Sequence, residues 1–262
     1  MRLTLSTPLY RWYTRLLVSE VSARPVPQHV ALILDGNRRF ARQLGLGDVT
    51  EGHRFGAEKV KELVQWCDEL KIPVVTLWGL STDNLKQRAP EELEKICQTV
   101  CEGLADFCRD QTTGTNHRRI KAVGQLELLP ESLRHQIAEV EHLTAASGPG
   151  LLNIAVAYDG RDEIIDSFRH TLRARAAAGW SILEVAEQIS IDDLQQYLYT
   201  SEVPPPDLII RTSGELRLSG FLLWQSVHSE LYFCDALWPA FRKIDFLRAI
   251  RNFQDRRRRF GR

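Results

Sequence analysis

The chain alternates between short apolar runs and longer stretches in which apolar residues recur every three or four positions. Six runs are rich in branched aliphatic residues, and most of them end abruptly at polar or charged side chains. Runs of this length and composition are typical of strands buried on both faces of a sheet. The predicted strands are Val30–Leu34, Pro73–Leu80, Ile120–Val123, Leu151–Tyr158, Asp207–Thr212 and Glu230–Phe233.

The stretches between the strands follow the 3.6-residue period of helices. Strands that alternate with helices predict an α/β fold with a central, mostly parallel sheet of about six strands flanked by helices. No internal repeat or long linker divides residues 26–262, so we expect one domain there. The predicted helices are Gly52–Leu70, a helix from Pro90 to about Phe107 before a loop at Gln111–His117, Glu131–Leu143, a helix after Arg161 to about Ala178, two short helices before Thr200, and Ile244–Phe253.

Residues 1–25 contain a separate amphipathic helix, predicted at Pro8–Glu20. Its apolar stripe is Leu9, Tyr13, Leu16 and Leu17, and arginines lie beside it. The helix either packs on the domain or is an interfacial helix that contacts an apolar substrate. The sequence favours packing, and a peripheral membrane contact stays a further expectation.

Composition narrows the class of protein. Among 262 residues, 34 basic and 34 acidic side chains balance, so no overall field attracts nucleic acid. The five cysteines form no paired framework, which fits reduced thiols in the cytoplasm; we interpret Cys97, Cys101 and Cys108 as small core residues on one helical face. No apolar run has the length of a membrane span, and we predict no signal peptide. The terminal run from Arg256 to Arg262, taken alone, is typical of a solvated tail.

The chemistry concentrates where the first strand ends, at Asp35–Arg39. Gly36 permits a tight turn, Asn37 can cap the following helix, and the exposed N–H groups of that helix attract anions. A carboxylate, an amide cradle and guanidinium groups together suit a diphosphate with magnesium. Taken alone, the same residues also fit an ordinary strand-end turn with a surface ion pair.

Two further strand ends carry polar clusters, Ser81–Asn84 and Arg211–Ser219. Right-handed crossovers bring the carboxyl ends of parallel strands to one edge, where ligands bind, so the three clusters could converge. In that arrangement Arg211, Arg217 and Ser219 would clamp a diphosphate, and Glu230 could share a metal with Asp35. The neighbouring apolar residues 221–224 would then favour a prenyl diphosphate.

At this point the residues resemble a known family, the cis-prenyltransferases, which include the undecaprenyl diphosphate synthases. The third motif is long enough that chance is a poor explanation, and the motifs occur in the family's order from about Val26 to the C-terminus. HVALILDGNRRFA resembles HVAxIMDGNxRWA, GLSTDN resembles FSxEN, AYDGRDEI resembles NYGGRxEI, and RTSGELRLSGFLLWQSVHSELYF resembles RTxGExRxSxFLLWQxxYxElYF.

The resemblance implies a magnesium-dependent homodimer that condenses isopentenyl diphosphate with an allylic prenyl diphosphate and makes a cis double bond. It implies that Asp35 handles magnesium and the allylic diphosphate, that Asn84 pairs with Asp35 in proton removal, and that Glu230 is a magnesium ligand. The remaining positions carried over as substrate contacts are Gly36, Asn37, Arg38, Arg39, Phe40, His53, Ser81, Thr82, Asp83, Leu85, Arg88, Arg211, Arg217, Leu218 and Ser219.

Departures from the family pattern bear on product length. Asp83 replaces the usual Glu, Leu85 stands where long-chain members often carry Trp, and an apparent one-residue insertion displaces Arg88. The PLYRWY helix, the STDNL form and Val49 resemble short-chain members that make Z-farnesyl diphosphate. In those members a bulky residue plugs the tunnel where this chain has Gly79, so Trp78 or Leu80 would have to serve instead.

Alternatives stay open at this stage. Within the family these are a long-chain polyprenyl diphosphate synthase and an enzyme of irregular, head-to-middle condensation. A non-catalytic partner of this fold would have lost Asp35, which is present, and a haloacid-type phosphatase needs an aspartate where Asn37 stands. The ending Arg259–Gly261 resembles the family's RxG, which in some dimers reaches the partner's active site.

Overall fold

The structure is a computed structural model that describes residues 8–113 and 118–256, and the side chains of all of these except 108–113. The arginine-rich ending after Arg256, which includes Arg259–Gly261, lies outside the described residues, as does the side chain of Cys108.

Six parallel strands form one sheet in the order β3-β4-β2-β1-β5-β6, which confirms the predicted α/β class. β1 lies at the centre between β2 and β5, where Ile33 pairs with Trp78 on one side and with Arg211 on the other. The carboxyl ends of the central strands therefore meet at one edge, as expected for a parallel sheet. The strands are β1 (His29–Ile33), β2 (Val74–Ser81), β3 (Arg118–Val123), β4 (Gly150–Tyr158), β5 (Leu208–Arg211) and β6 (Glu230–Phe233).

Helices cover both faces of the sheet. Successive residues of a strand point to opposite faces, so Leu32 joins the core beneath one helical layer and Ile33 joins the core on the other face. The helices are α1 (Pro8–Ser22), α2 (Asn37–Gln43), α3 (Glu51–Glu69), α4 (Thr82–Gln87), α5 (Pro90–Thr113), α6 (Glu131–Thr144), α7 (Gly160–Ala177), α8 (Ile182–Gln188), α9 (Ile191–Gln195) and α10 (Lys243–Asp255).

The sheet and the helices enclose three apolar cores, and two of them lie beside the candidate active site. The first core lies between the sheet and helices α1, α3 and α10, with the fully buried Trp238 and Phe246 among its members. The second core lies beneath α5 and α6 and contains Leu104 and Ile120. The third occupies the opposite face, around Tyr158 and Phe221.

Some local predictions were wrong. Gly36, at φ 111°, caps α2 without any side-chain bond, so Asn37 is the first helical residue rather than the cap. Helix α5 continues to Thr113, three residues into the predicted loop. The polar cluster after β2 folds into α4 because Ser81 caps it, its Oγ accepting a hydrogen bond from the Asn84 N–H at 3.0 Å.

Only half of the apolar stripe predicted for the first helix, α1, faces the domain, where Leu17 is buried and Tyr13 packs on the first core. Leu17 and Val21 are buried in the first core, and helix α1 packs along α10. Leu9 and Leu16, predicted to share the inward stripe, are instead 68% and 48% exposed, and Trp12 between them is 57% exposed. In the part of the chain that the structure describes, no helix is both long and apolar enough to cross a bilayer.

Candidate active site

One open cavity lies at the edge of the sheet where the strands end, and we call it the edge cavity. Its volume is about 550 Å³. It collects residues from the ends of β1, β2, β4 and β5, so the three predicted clusters come together and a fourth joins them. The polar and charged residues that line it are Asp35, Asn37, His53, Ser81, Asp83, Asn84, Arg88, Asp159, Arg161, Arg211 and Ser219.

Asp35 occupies the centre of this edge, two residues beyond the end of β1. Its Oδ2 accepts a hydrogen bond from Arg211 Nη2 at 3.0 Å, and its Oδ1 faces Arg39 Nη2 at 3.4 Å. Burial works to raise the pKa of the Asp35 carboxyl, but hydrogen bonds and positive charge from the arginines outweigh it and hold that pKa below the usual range. The carboxylate is therefore ionised at neutral pH.

Arg211 is the buried charge that organises the loop after β5. Besides Asp35, it donates from Nη1 to Ser219 Oγ at 2.9 Å and to the Arg217 carbonyl oxygen at 2.5 Å, and it is only 5% exposed. The loop folds back over it through left-handed backbone at Ser213 (φ 80°), Ser219 (φ 56°) and Leu222 (φ 47°). Non-glycine residues in this conformation are costly and are found where the surroundings impose them, often at binding sites.

A second concavity, the anion pocket, adjoins the edge cavity on the side of α2. Its volume is about 340 Å³, and it is rich in guanidinium groups and in backbone N–H groups at the start of α2. A Cβ at Gly36 would lie 2.9 Å from Leu237 Cδ2, so glycine is required there by space as well as by its positive φ. The residues that line the pocket are Leu34, Asp35, Gly36, Asn37, Arg38, Arg39, Arg42, His53 and Arg88.

Arg88, the position displaced by the apparent insertion, does reach this pocket. Its Nη1 donates to Glu92 Oε1 at 2.6 Å and lies 3.4 Å from His53 Nε2. Burial and the nearby Arg88 charge lower the pKa of His53 to about 4, so the imidazole is neutral at pH 7. His53 therefore serves as a hydrogen-bonding group rather than as a cation.

Two guanidinium N–H groups at the site have no partner. The Nε atoms of Arg88 and Arg211 are buried and make no hydrogen bond, and the same holds for Asn37 Oδ1. Unpaired buried donors are costly unless a ligand completes them. Two such donors beside exposed Arg38 and Arg39 are what a site for phosphate oxygens would present.

Several residues predicted to contact substrate do not line the edge cavity or the anion pocket. Thr82 is buried and donates to Asp162 Oδ2 at 3.0 Å, while Leu85 packs on the second core. Phe40 makes an edge-to-face contact with Phe55, and Leu218 packs on the third core. Arg217 is turned outward, 61% exposed, and pairs with Glu215, so only its carbonyl oxygen is held in the site.

Glu230 is not brought to Asp35 within the chain, contrary to the prediction that they share a metal. It begins β6 and pairs in register with Leu208, whereas Arg211 pairs with Phe233. Three strand residues, roughly 10 Å, therefore separate Glu230 from the level of Arg211. Its carboxylate pairs with Arg256 at 2.6 Å instead.

Sequence reasoning missed the contribution of the fourth strand end. Asp159 caps α7, accepting from the Arg161 N–H at 2.8 Å, and Arg161 reaches toward Asp83 across the cavity at 4.0 Å. A Cβ on Gly220 would lie 2.3 Å from Asp159 Oδ2, so the loop after β5 rests directly on this carboxylate. The signal was present in Asp159-Gly160-Arg161, which follows a predicted strand just as Asp35-Gly36-Asn37 does.

An apolar channel leads from the mouth of the site into the molecule, between α3, α5 and the sheet. Its volume is about 120 Å³, and it shares Leu34, Asn37 and His53 with both polar cavities. Gly79 also lines the channel and leaves it open. Neither predicted substitute plugs it: the Trp78 ring stacks on Phe221 at 5.2 Å in the third core, and Leu80 is buried in the second.

An ionised carboxylate, guanidinium groups with unpaired donors and a neighbouring apolar channel define a class of enzyme that binds a diphosphate carrying a hydrocarbon chain. The family described as "Putative undecaprenyl diphosphate synthase" matches residues 33–261 of this sequence. The chain therefore belongs to the cis-prenyltransferase family and is a prenyltransferase.

Individual relatives support the same placement. The chain is 53% identical over 258 residues, 98% of both chains, to a (2Z,6E)-farnesyl diphosphate synthase of Thermobifida fusca. It is 48% identical over 260 residues, 99% of this chain and 98% of the relative, to an isoprenyl transferase of Thermus thermophilus. The structure of lavandulyl diphosphate synthase from Lavandula x intermedia, in complex with dimethylallyl diphosphate, superposes with a TM-score of 0.84 at 33% identity, covering 93% of this chain and 100% of that one.

Proposed function

We propose that this enzyme condenses isopentenyl diphosphate with a short allylic diphosphate and releases a short-chain product such as Z-farnesyl diphosphate. The observation that carries the proposal is the combination of two adjoining polar cavities with one small apolar channel. The polar cavities suit two diphosphate groups, and the channel suits the hydrocarbon of the allylic partner.

In the proposed reaction, each bond that breaks or forms can be assigned to groups that residues of the site hold. The C1–O bond of the allylic substrate breaks as C1 bonds to C4 of isopentenyl diphosphate; inorganic diphosphate leaves, and C2 loses a proton to give the new double bond. Arg38, Arg39 and Arg88 neutralise the leaving diphosphate, while Arg211 and Ser219 hold the second substrate. Asp35 and Asn84, which line the same cavity, are our candidates for the path of the proton.

Magnesium fits the residues present at Asp35. Mg²⁺ is commonly bound by one or two carboxylates together with substrate phosphates. Asp35 is an ionised carboxylate that faces both polar cavities. When bound, the ion would neutralise charge that develops on the leaving diphosphate. Among the described residues no group of three or more His, Cys, Asp or Glu side chains forms a metal site, so substrate oxygens would have to complete the coordination.

The size of the channel favours a short chain. The channel, at about 120 Å³, is smaller than a cavity of about 150 Å³ that binds one benzene molecule, so it suits a short hydrocarbon far better than a long polyprenyl chain. The similarity to the Thermobifida fusca (2Z,6E)-farnesyl diphosphate synthase supports the same product class.

The deciding experiment incubates the purified protein with Mg²⁺, isopentenyl diphosphate and, separately, dimethylallyl, geranyl and farnesyl diphosphates, and identifies products by mass and double-bond geometry. We expect a fifteen-carbon Z product from the geranyl primer. A ladder of long products would establish the long-chain alternative. Absence of any product from all three primers would contradict the proposed function.

An irregular condensation is the second candidate, and the similarity to the lavandulyl diphosphate synthase structure favours it. In that reaction an allylic unit serves as the acceptor too, so isopentenyl diphosphate is not needed. Incubation with dimethylallyl diphosphate alone distinguishes the two reactions. Regular condensation gives no ten-carbon product under this condition, and irregular condensation gives a branched one.

We propose a homodimer as the working assembly. The family resemblance supports it, and a groove of about 520 Å³ lined mainly by apolar residues such as Ile191, Leu198 and Val203 lies away from the site and could receive a second copy. Light scattering after gel filtration should give a mass near 60 kDa, twice the 30.0 kDa of one chain. A mass near 30.0 kDa at micromolar concentration would contradict this.

We also propose that α1 contacts anionic membrane surfaces. Leu9, Trp12 and Leu16 form an exposed apolar stripe, and the exposed Arg11 and Arg15 flank it, an arrangement typical of interfacial helices. The fraction of the triple variant L9S/W12S/L16S that sediments with phosphatidylglycerol vesicles should be about tenfold lower than that of wild type. L143S, which changes another leucine of similar exposure at 63%, is the control. The assignment would be contradicted if wild type sedimented equally with neutral and anionic vesicles. It would also be contradicted if the triple variant sedimented as much as wild type.

A further inference from the structure

Phe107 is the last residue with which α5 lines the apolar channel, and we propose that its ring closes the far end of the channel and sets the length of the product. The inference rests on the proposed function, because a channel-ending residue matters only if the channel holds the growing chain. It assigns the limiting position to the bottom of the channel, since Gly79 leaves the mouth side open.

The direction of the channel follows from α5. At its start, Glu92 pairs with Arg88 and lies 3.6 Å from Arg38, so this end of the helix adjoins the anion pocket. The helix then runs away from the site. The residues with which it lines the channel follow a helical stripe: Ile96, Thr99, Val100, Gly103, Leu104 and Phe107.

Phe107 is the last residue of that stripe. Eleven residues of helix place it roughly 16 Å along the helix axis from Ile96, away from the anion pocket. It is partly buried and packs against both the first and the second core, so its ring spans the place where the two cores meet beneath the channel. The other aromatic residue that lines the channel, Trp238, is held near the mouth, where its Nε1 donates to the Gly56 carbonyl oxygen at 2.9 Å.

A charged pair reinforces the closure beside Phe107. Lys61 on α3 lines the channel and lies 3.5 Å from Asp106 on α5, one residue before the phenylalanine. A hydrocarbon chain gains nothing by entering between two charged groups. The chain would therefore stop at the ring, and extension past it would require the ring to be removed.

Another wall of the channel offers the competing explanation. Leu104 and Ile120 separate the channel from a second apolar cavity of about 10 Å³, which also touches Ile137 and Val140. If the growing chain turned toward α6, Leu104 rather than Phe107 would limit its length. The two residues are one helical turn apart, so their alanine variants form a matched pair.

The experiment compares the products of wild type, Phe107→Ala, Leu104→Ala and Phe168→Ala with geranyl diphosphate and excess isopentenyl diphosphate. Phe168 is a control on α7, 40% exposed and outside the channel. Phe107→Ala removes about the volume of one five-carbon unit. We expect its main product to be one unit longer than that of wild type, with the ratio of longer to original product raised at least tenfold and no change for Phe168→Ala.

A wild-type product distribution from Phe107→Ala, folded by its thermal transition and active, would overturn the inference. A shift seen with Leu104→Ala alone would do the same. Should Phe107→Ala fail to fold, Phe107→Leu keeps an apolar side chain and should give a smaller shift in the same direction, while Phe107→Trp should lower turnover with geranyl relative to dimethylallyl diphosphate. Failure of the proposed function is separately visible, because wild type would then form no short prenyl product.

Discussion

Replacing Asp35 by asparagine should lower turnover by about 10³-fold or more while leaving the protein folded. Asparagine keeps an oxygen that can accept from Arg211, but it removes the negative charge that the proposed magnesium and proton chemistry requires. In the native site that charge is secured because Arg211 and Arg39 hold the Asp35 pKa below its usual range. The measurement is kcat with saturating diphosphate substrates, together with the thermal unfolding midpoint.

The matched control is Asp255→Asn. Asp255 also accepts from an arginine, Arg24, at 2.7 Å, but it is exposed on α10 and belongs to neither polar cavity. Its loss should leave turnover within about twofold, since exposed ion pairs contribute little. If Asp35→Asn retained more than a tenth of wild-type turnover, the role proposed for Asp35 would be wrong.

Replacing Arg211 by lysine should lower kcat/KM for isopentenyl diphosphate by about 10³-fold, with most of the effect in KM. The guanidinium group bridges Asp35, Ser219 and the Arg217 carbonyl oxygen from two different nitrogens. A single ammonium cannot span these acceptors, and it presents no planar pair of donors to a diphosphate. With its inner partner weakened, the Asp35 carboxyl should also titrate at a higher pKa than in wild type.

Arg242→Lys is the corresponding control, because Arg242 binds Asp245 through Nε at 2.9 Å and Nη2 at 3.1 Å, remote from the cavities. Steady-state kinetics with each substrate varied in turn separates KM from kcat. An Arg211→Lys enzyme whose KM for isopentenyl diphosphate stayed within threefold of wild type would exclude the proposed clamp.

The local pattern of the sequence was sufficient for most of the fold. Branched aliphatic runs predicted all six strands, and the 3.6-residue period predicted the longer helices, because both patterns record which face of a short segment is buried. Polar residues directly after strands located the site, since parallel strands must end at a common edge. The errors lie at the boundaries, as at α5, and in the short helix α4, where one cap decides the local structure.

Position along a motif did not determine which way each side chain faces. Thr82 and Arg217 lie within the family motifs, yet one is buried against α7 and the other turns toward Glu215, because neighbours distant in sequence occupy the alternative directions. Trp78 could have plugged the channel by sequence alone, but a register shift between β2 and β4 beside Gly79 and stacking on Phe221 place it on the other face.

The sequence by itself therefore determined the α/β class, the family and the strand end at Asp35, because these depend on periodicity and on contiguous motifs. Only the tertiary structure decided that Asp159 and Arg161 join the site, that Glu230 starts its strand at the opposite edge, and that Phe107 ends the channel. Each of these depends on strand order and helix packing, which bring together residues that no local pattern relates.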